Sequence, residues 1–123
     1  MSLGKRLLVI DDEPSFAQLV GRVAGELGYA VTVTTEALQF RAAYLTEPPD
    51  VIVLDIVMPD QDGIELIEWL VGQGCRARIL IISGYSPIFA EAAKLIGEVK
   101  GNLDVSLLRK PIKLADLRQH LQD

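Results

Sequence analysis

Val51-Ile52-Val53-Leu54-Asp55-Ile56-Val57-Met58-Pro59 is the stretch that decides the fold. Four apolar residues, three of them β-branched, run straight into a carboxylate. Turn chemistry follows at once in Met58-Pro59-Asp60-Gln61-Asp62-Gly63. A continuous apolar run of this length reads as a strand covered on both faces, as in a parallel sheet. Its polar end then lies at the carboxyl edge, where open α/β sheets place their ligands. An isolated Asp could equally cap a turn, so the role of Asp55 rests on its companions.

Upstream, Lys5 to Ile10 is a short apolar strand that breaks off in Asp11-Asp12-Glu13-Pro14. Pro14 suits the first turn of a helix, where its missing N–H costs nothing. Phe16, Leu19, Val20, Val23, Ala24 and Leu27 then recur at helical spacing, and Gly28 supplies the stop. Tyr29 to Thr34 is a second strand. A weaker helix follows, with Thr35 as N-cap and Leu38, Ala42 and Leu45 inward, ended by Pro48-Pro49.

Downstream, Asp62 and Glu65 stand in the relation of a capping box. The helix they open turns Ile64, Ile67, Leu70 and Val71 inward and fades at Gly72 and Gly74. Arg78 to Ile82 is a fourth strand, running into Ser83-Gly84-Tyr85. Pro87 leads a helical stretch with Phe89, Ala92, Ala93, Ile96 and Val99 on one side, stopped by Gly101-Asn102. Val105 to Arg109 is a fifth strand ending in Lys110-Pro111, and a last helix aligns Leu114, Leu117 and Leu121. Five strands alternating with five helices imply an α/β fold, a parallel sheet with helices on both faces. Periodicity leaves the strand order open.

The 123 residues suit one domain, read over residues 4–123 with Met1-Ser2-Leu3 as a leader. Half the chain is apolar and 24% is charged, a globular composition. A net charge of -5 argues against direct nucleic-acid binding, which calls for a basic patch. No apolar run approaches the ~18 residues of a membrane span, and no signal peptide is apparent, so a cytoplasmic domain is the expectation. Cys75, the single cysteine, reads as an incidental loop thiol without zinc-type spacing. His120 reads as solvated and Trp69 as a packing residue.

The strand ends carry the chemistry: Asp11-Asp12 after the first, Asp55 after the third, Ser83 after the fourth, Lys110 after the fifth. In a parallel sheet these ends share one edge. Taken singly, each has a plainer reading, as a helix-dipole partner, a turn or a strand end. Together they place three carboxylates side by side, which calls for a divalent cation, and all-oxygen donors favour Mg²⁺ over zinc. A hydroxyl and an ammonium beside them complete a cradle for phosphoryl oxygens. Asp55, on the central strand, is the natural nucleophile.

This set resembles the receiver domain of two-component response regulators. The motifs are the acidic pair, D-x-x-M-P-x-x-D-G from Asp55 to Gly63, a Ser/Thr after the fourth strand and K-P after the fifth. The resemblance covers nearly the whole chain. It implies a flavodoxin-like three-layer (βα)5 fold with a five-stranded parallel sheet in the order 2-1-3-4-5. It also implies a phosphorylation-dependent switch in which Asp55 accepts phosphate from the phosphohistidine of a sensor histidine kinase or phosphotransfer protein. Asp12 would ligate Mg²⁺ directly, Asp11 through water, and Val57 through its carbonyl. Ser83 and Lys110 would hold phosphoryl oxygens, Ser83 by moving inward, and a cis bond before Pro111 would aim the lysine. A C-terminal effector domain outside this chain, or a homodimer, would carry the output. The domain is not a conventional enzyme, although it would catalyse its own phosphorylation and slow dephosphorylation.

Three departures stand out. Leu107 occupies the family's aromatic switch position, and Val57 is apolar where some relatives carry a polar residue that helps position water. Ser83 to Lys110 is also longer than is common in the family, with the excess expected around the fourth helix and the loop after it. Two other classes compete. A phosphatase resembling the haloacid dehalogenases needs a DxDx(T/V) motif after the first strand, which Ile10-Asp11-Asp12-Glu13 does not match. A phosphorylation-independent interaction domain does not require the full acceptor set. A dinucleotide-binding domain is disfavoured because no Gly-rich loop follows the first strand.

Overall fold

A computed structural model describes residues 5–55, 57–58, 61–84 and 87–122. Its main sheet comprises β1 (Arg6–Ile10), β2 (Ala30–Thr34), β3 (Val51–Asp55), β4 (Arg78–Ser83) and β5 (Asp104–Arg109). The order is β2-β1-β3-β4-β5, with every neighbouring pair parallel. The helices are α1 (Pro14–Glu26), α2 (Ala37–Thr46), α3 (Gly63–Gly72), α4 (Pro87–Gly101) and α5 (Leu114–Leu121). This is the flavodoxin-like arrangement that the family resemblance implied.

All five residues of β3 are buried, as an apolar run predicts for a strand with helices on both sides. Strand alternation divides the core in two. Leu8, Ile10, Ile52, Leu54, Ile79 and Ile81 join residues of α2, α3 and α4 in one cluster. Leu7, Val9, Val51, Val53, Leu80 and Ile82 join residues of α1 and α5 in the other.

Helix ends follow local chemistry. Pro14 opens α1, and the Glu13 carbonyl accepts the Phe16 and Ala17 N–H groups at 3.1 and 3.0 Å. At the far end Gly28 has φ 99°; its N–H reaches Gly25 O at 3.0 Å and that of Tyr29 reaches Ala24 O at 3.1 Å. The α3 exit repeats the motif around Gly74, with Gly74 N to Val71 O at 3.1 Å and Cys75 N to Leu70 O at 3.2 Å. These paired bonds satisfy carbonyls that a helix end would otherwise leave open. Asn102, at φ 52°, closes α4.

Several inward faces differ from the sequence expectation. Leu38, Ala42 and Leu45 of α2 are exposed, while Phe40 and Tyr44 are buried. Apolar residues surround this helix, and the two rings win because they meet Trp69 edge-on at 6.5 and 5.3 Å between centroids. Trp69 is thus a packing residue, as expected, and Arg41 lies over its ring at 5.5 Å. The α2 N-cap is Glu36 rather than Thr35, and Gln39 Oε1 accepts the Thr35 N–H at 3.1 Å. Cys75 lies in a loop but is buried, in the same core cluster as Tyr44. Burial foremost, and then Cys75, pushes the Tyr44 hydroxyl up to about 12.

On α4, Phe89 and Val99 face outward with Ile88 and Leu95, and the buried side is Ala90, Ala93 and Gly97. Of the expected face, Ala93 is buried and Ile96 packs on the core, so the buried stripe is shifted, and close approach explains the shift. A Cβ on Gly97 would stand 3.2 Å from Leu103 Cδ1, and one on Gly101 would stand 2.8 Å from Val71 Cγ2. At Gly97 and Gly101 the helix lies too close to α3, Leu103 and β5 for a larger side chain. The helix runs for 15 residues, and only Asn102 and Leu103 separate it from β5. On α5, Leu117 and Leu121 are buried as expected, but Leu114 is exposed. His120 is partly exposed, with Nδ1 2.9 Å from Asp116 O.

The glycine geometry gives a direct test. Gly28→Ala should cost about 1–2 kcal/mol, because an L side chain is strained at positive φ. Gly25→Ala, with nothing within 4 Å of the added carbon, should be neutral or add up to about 0.5–1 kcal/mol. Urea midpoints of the two variants check this; equal midpoints would refute it.

Candidate functional site at the carboxyl edge of the sheet

Register brings the strand ends together as a staircase. Ile10 pairs with Leu54, so Asp11 follows β1 at the level where Asp55 closes β3. Asp55 pairs with Ile82, which sets Ser83 one step further out. Ser83 pairs with Arg109, which sets Lys110 one step beyond that.

Asp11, Asp55 and Ser83 are buried, and Asp12 is exposed. One carboxylate oxygen from each of Asp11, Asp12 and Asp55 lies within 4.8 Å of the others. The Asp11 carboxylate is held by the Glu13 N–H, donated to Oδ1 at 2.9 Å. The Asp11 N–H in turn donates to Thr34 O at 3.2 Å, and the buried Thr34 hydroxyl donates to Val9 O at 2.7 Å. Lys110 donates its backbone N–H to Ser83 O at 2.8 Å, and the Lys110–Pro111 bond is cis, as expected. The ammonium lies 3.6 Å from Asp11 Oδ2 and 4.6 Å from the centre of the Phe16 ring.

Burial raises the Asp11 carboxyl above its ordinary range; the Glu13 N–H and the Lys110 charge oppose this, and Asp12 and Glu13 add to it. Close carboxylates repel one another, and a lysine 3.6 Å from one of them answers only part of that charge. A hard divalent cation suits a donor set made wholly of carboxylate oxygen.

The site thus assembles Asp11, Asp12, Asp55, Ser83 and Lys110 on one edge. The metal contact expected of the Val57 carbonyl stays an expectation. The capping role of the Asp62 side chain lies outside the described residues, as does the turn at Pro59-Asp60. Val57–Met58 and Gln61–Asp62 pair as a two-residue antiparallel ribbon beside the site. Leu107 is half-buried on β5 against the α2–α4 core. Two residues of the site escape the sequence pattern, which places Phe16 in helix packing only and Thr34 at a strand end. A ring in the first turn after an acidic pair is the available signal for Phe16.

Residues 7–122 match the response regulator receiver domain family. The acid tolerance regulatory protein ActR of Rhizobium meliloti is 31% identical over 114 residues, 92% of this chain and 56% of ActR. The alkaline phosphatase synthesis transcriptional regulatory protein PhoP of Bacillus subtilis is 35% identical over 66% of this chain and 34% of PhoP. The chain therefore spans only part of the length of these relatives. Among solved structures, the receiver domain of the Francisella response regulator 1452 superposes with a TM-score of 0.77 at 28% identity, covering 96% of this chain and 93% of that one. The Vibrio cholerae chemotaxis protein CheY4 gives a TM-score of 0.80 at 25% identity, covering 95% of each chain. With its full strand order, its acidic edge and this match over most of its length, the chain belongs to the response regulator receiver domain family.

Proposed function

We propose that the chain is a phosphorylation-dependent switch whose acceptor is Asp55. The observation that supports this most is the meeting of three carboxylates within 4.8 Å, with the Lys110 ammonium 3.6 Å from one of them. Asp55 ends a rigid, fully buried strand, so its carboxylate is presented with little freedom. An Asp55 oxygen forms the new O–P bond as the N–P bond of a phosphohistidine breaks, its electron pair returning to the imidazole. The donor is a sensor histidine kinase or a phosphotransfer protein. Asp11, Asp12, Asp55 and the Val57 carbonyl would hold Mg²⁺, which when bound supplies charge neutralisation for the phosphoryl oxygens.

Lys110 and Ser83 take the remaining phosphoryl oxygens. The lysine side chain is 27% exposed and pairs loosely with Asp11, so its ammonium can turn to a new anion. Ser83 moves inward, and because only Gly84 to Ser86 separate it from α4, that motion shifts the helix start. Leu107 has no ring to swing, so the change reaches the surface through α4. Its outward Ile88, Phe89, Leu95 and Val99 offer the apolar area for a partner, an effector segment or a second copy. Val57 has no polar side-chain atom to hold an attacking water, which favours a slowly hydrolysed phosphate. A domain of this kind, with no helix among the described residues long and apolar enough to cross a membrane, works in the cytoplasm.

Two measurements bear on this reading. In Mg²⁺ and acetyl phosphate the chain should gain one phosphoryl group by intact-mass spectrometry, and Asp55→Asn should gain none. Normal uptake by that variant would move the nucleophile elsewhere.

The second concerns the buried acid. The folded pKa of Asp11 lies above 3.8, so the folded state binds more protons than the unfolded one just above that pH. Stability from this group is therefore complete below the unfolded value and declines as pH rises through the folded one. Asp11→Asn keeps the acceptor for the Glu13 N–H and removes the buried charge. In chelator at pH 7 it should raise the urea midpoint, an advantage that shrinks towards pH 4, while losing the stabilisation that Mg²⁺ gives the unaltered chain. A variant less stable at pH 7, or still stabilised by Mg²⁺, contradicts this.

A further inference from the structure

We infer that Phe16 is a positioning residue for Lys110, holding its ammonium beside the Asp11 carboxylate at the acceptor edge before any phosphoryl group arrives; this rests on the acceptor reading above. Three contacts define the path of the lysine. Its backbone is tied to Ser83 O at 2.8 Å. Its stem runs past Gly84, where a Cβ would stand 3.5 Å from Lys110 Cδ. Its head lies 4.6 Å from the Phe16 ring centre and 3.6 Å from Asp11 Oδ2. Strand, glycine and carboxylate all belong to the sheet edge; the ring comes from α1.

The position of that ring is fixed by the helix start. Pro14 sets the first turn, the Phe16 N–H is held by Glu13 O at 3.1 Å, and the ring packs on the α1–α5 core cluster. The same Glu13 anchors Asp11 through its own N–H, so ring and carboxylate are set by one short segment. The chemistry of the ring matters as well. An aromatic face attracts an ammonium through its quadrupole but carries no formal charge. A carboxylate in its place would add a fourth acid and hold the lysine against release. The ring instead limits the rotamers of a long flexible side chain, yet yields it to phosphoryl oxygens, which bind an ammonium more strongly.

The test compares Phe16→Leu, which keeps apolar bulk but loses the ring face, with Phe16→Tyr, which keeps both. Phosphorylation rates with acetyl phosphate and Mg²⁺ should fall about three- to tenfold for Phe16→Leu and stay within about twofold for Phe16→Tyr. In a Lys110→Ala background, Phe16→Leu should change nothing further, because the ring acts only through the lysine. Equal losses in both backgrounds, or no loss for Phe16→Leu, would overturn the inference. A separate readout needs no phosphate. The Lys110 ε-protons should carry an upfield ring-current shift that persists in Phe16→Tyr and disappears in Phe16→Leu. No such shift in the unaltered chain would also overturn the inference. No phosphoryl uptake by the unaltered chain would instead overturn the acceptor reading, and with it the reaction that Phe16 is said to serve.

Discussion

The site depends on β3 lying between β1 and β4 with all three strands parallel. That pairing forces the carboxyl ends of the strands to one edge, and with them every residue that carries chemistry. It is possible only because both faces of β3 are covered, which its run of Val, Ile and Leu makes favourable. A one-residue slip of β3 against β1 would separate Asp55 from Asp11. Strands β1, β3 and β4 each contribute to both core clusters, so a slip would exchange the residues facing them. Packing on two sides thus fixes the register, and register fixes the distances of the site.

The site works against the stability of the fold around it. Asp11, Asp55 and Ser83 are polar groups at the inner end of a close-packed core. Asp11 is tolerated because the Glu13 N–H and the Lys110 ammonium answer part of its charge, although burial still dominates. Three carboxylates this close, with one lysine 3.6 Å from Asp11, gather negative charge that a hard cation would neutralise. Gains in stability from neutralising it are therefore expected to come at the expense of binding.

A second consequence of packing is the surface of α4. Gly97 and Gly101 let this helix close on α3, β5 and Leu103, which leaves no room at those positions for a larger residue. Ile88, Phe89, Leu95 and Val99 are turned outward as a result. One end of the same helix starts just after Ser83 and Gly84, so the helix that carries the apolar surface begins beside the carboxylate edge.

What the sequence determined by itself was local. Apolar runs, the residues that end them and the glycines at helix exits are all written within a few positions, and each strand end is legible for that reason. The placing of Asp55, the acidic pair, Ser83 and Lys110 on one edge follows from the sequence alone, because a parallel sheet leaves strand ends only one edge to share. Strand order came from family resemblance, since periodicity says nothing of neighbours. Tertiary structure decided the rest. Helices α2 and α4 carry apolar residues on more than one side, and their inward faces were chosen by what lay opposite: Trp69 for Phe40 and Tyr44, and the close approach of α3 and β5 for Gly97 and Gly101. Cys75 is in a loop by sequence but buried by the Tyr44 side chain beside it. Phe16 and Lys110 come from opposite ends of the chain, and only the folded sheet edge brings a ring and an ammonium within 4.6 Å.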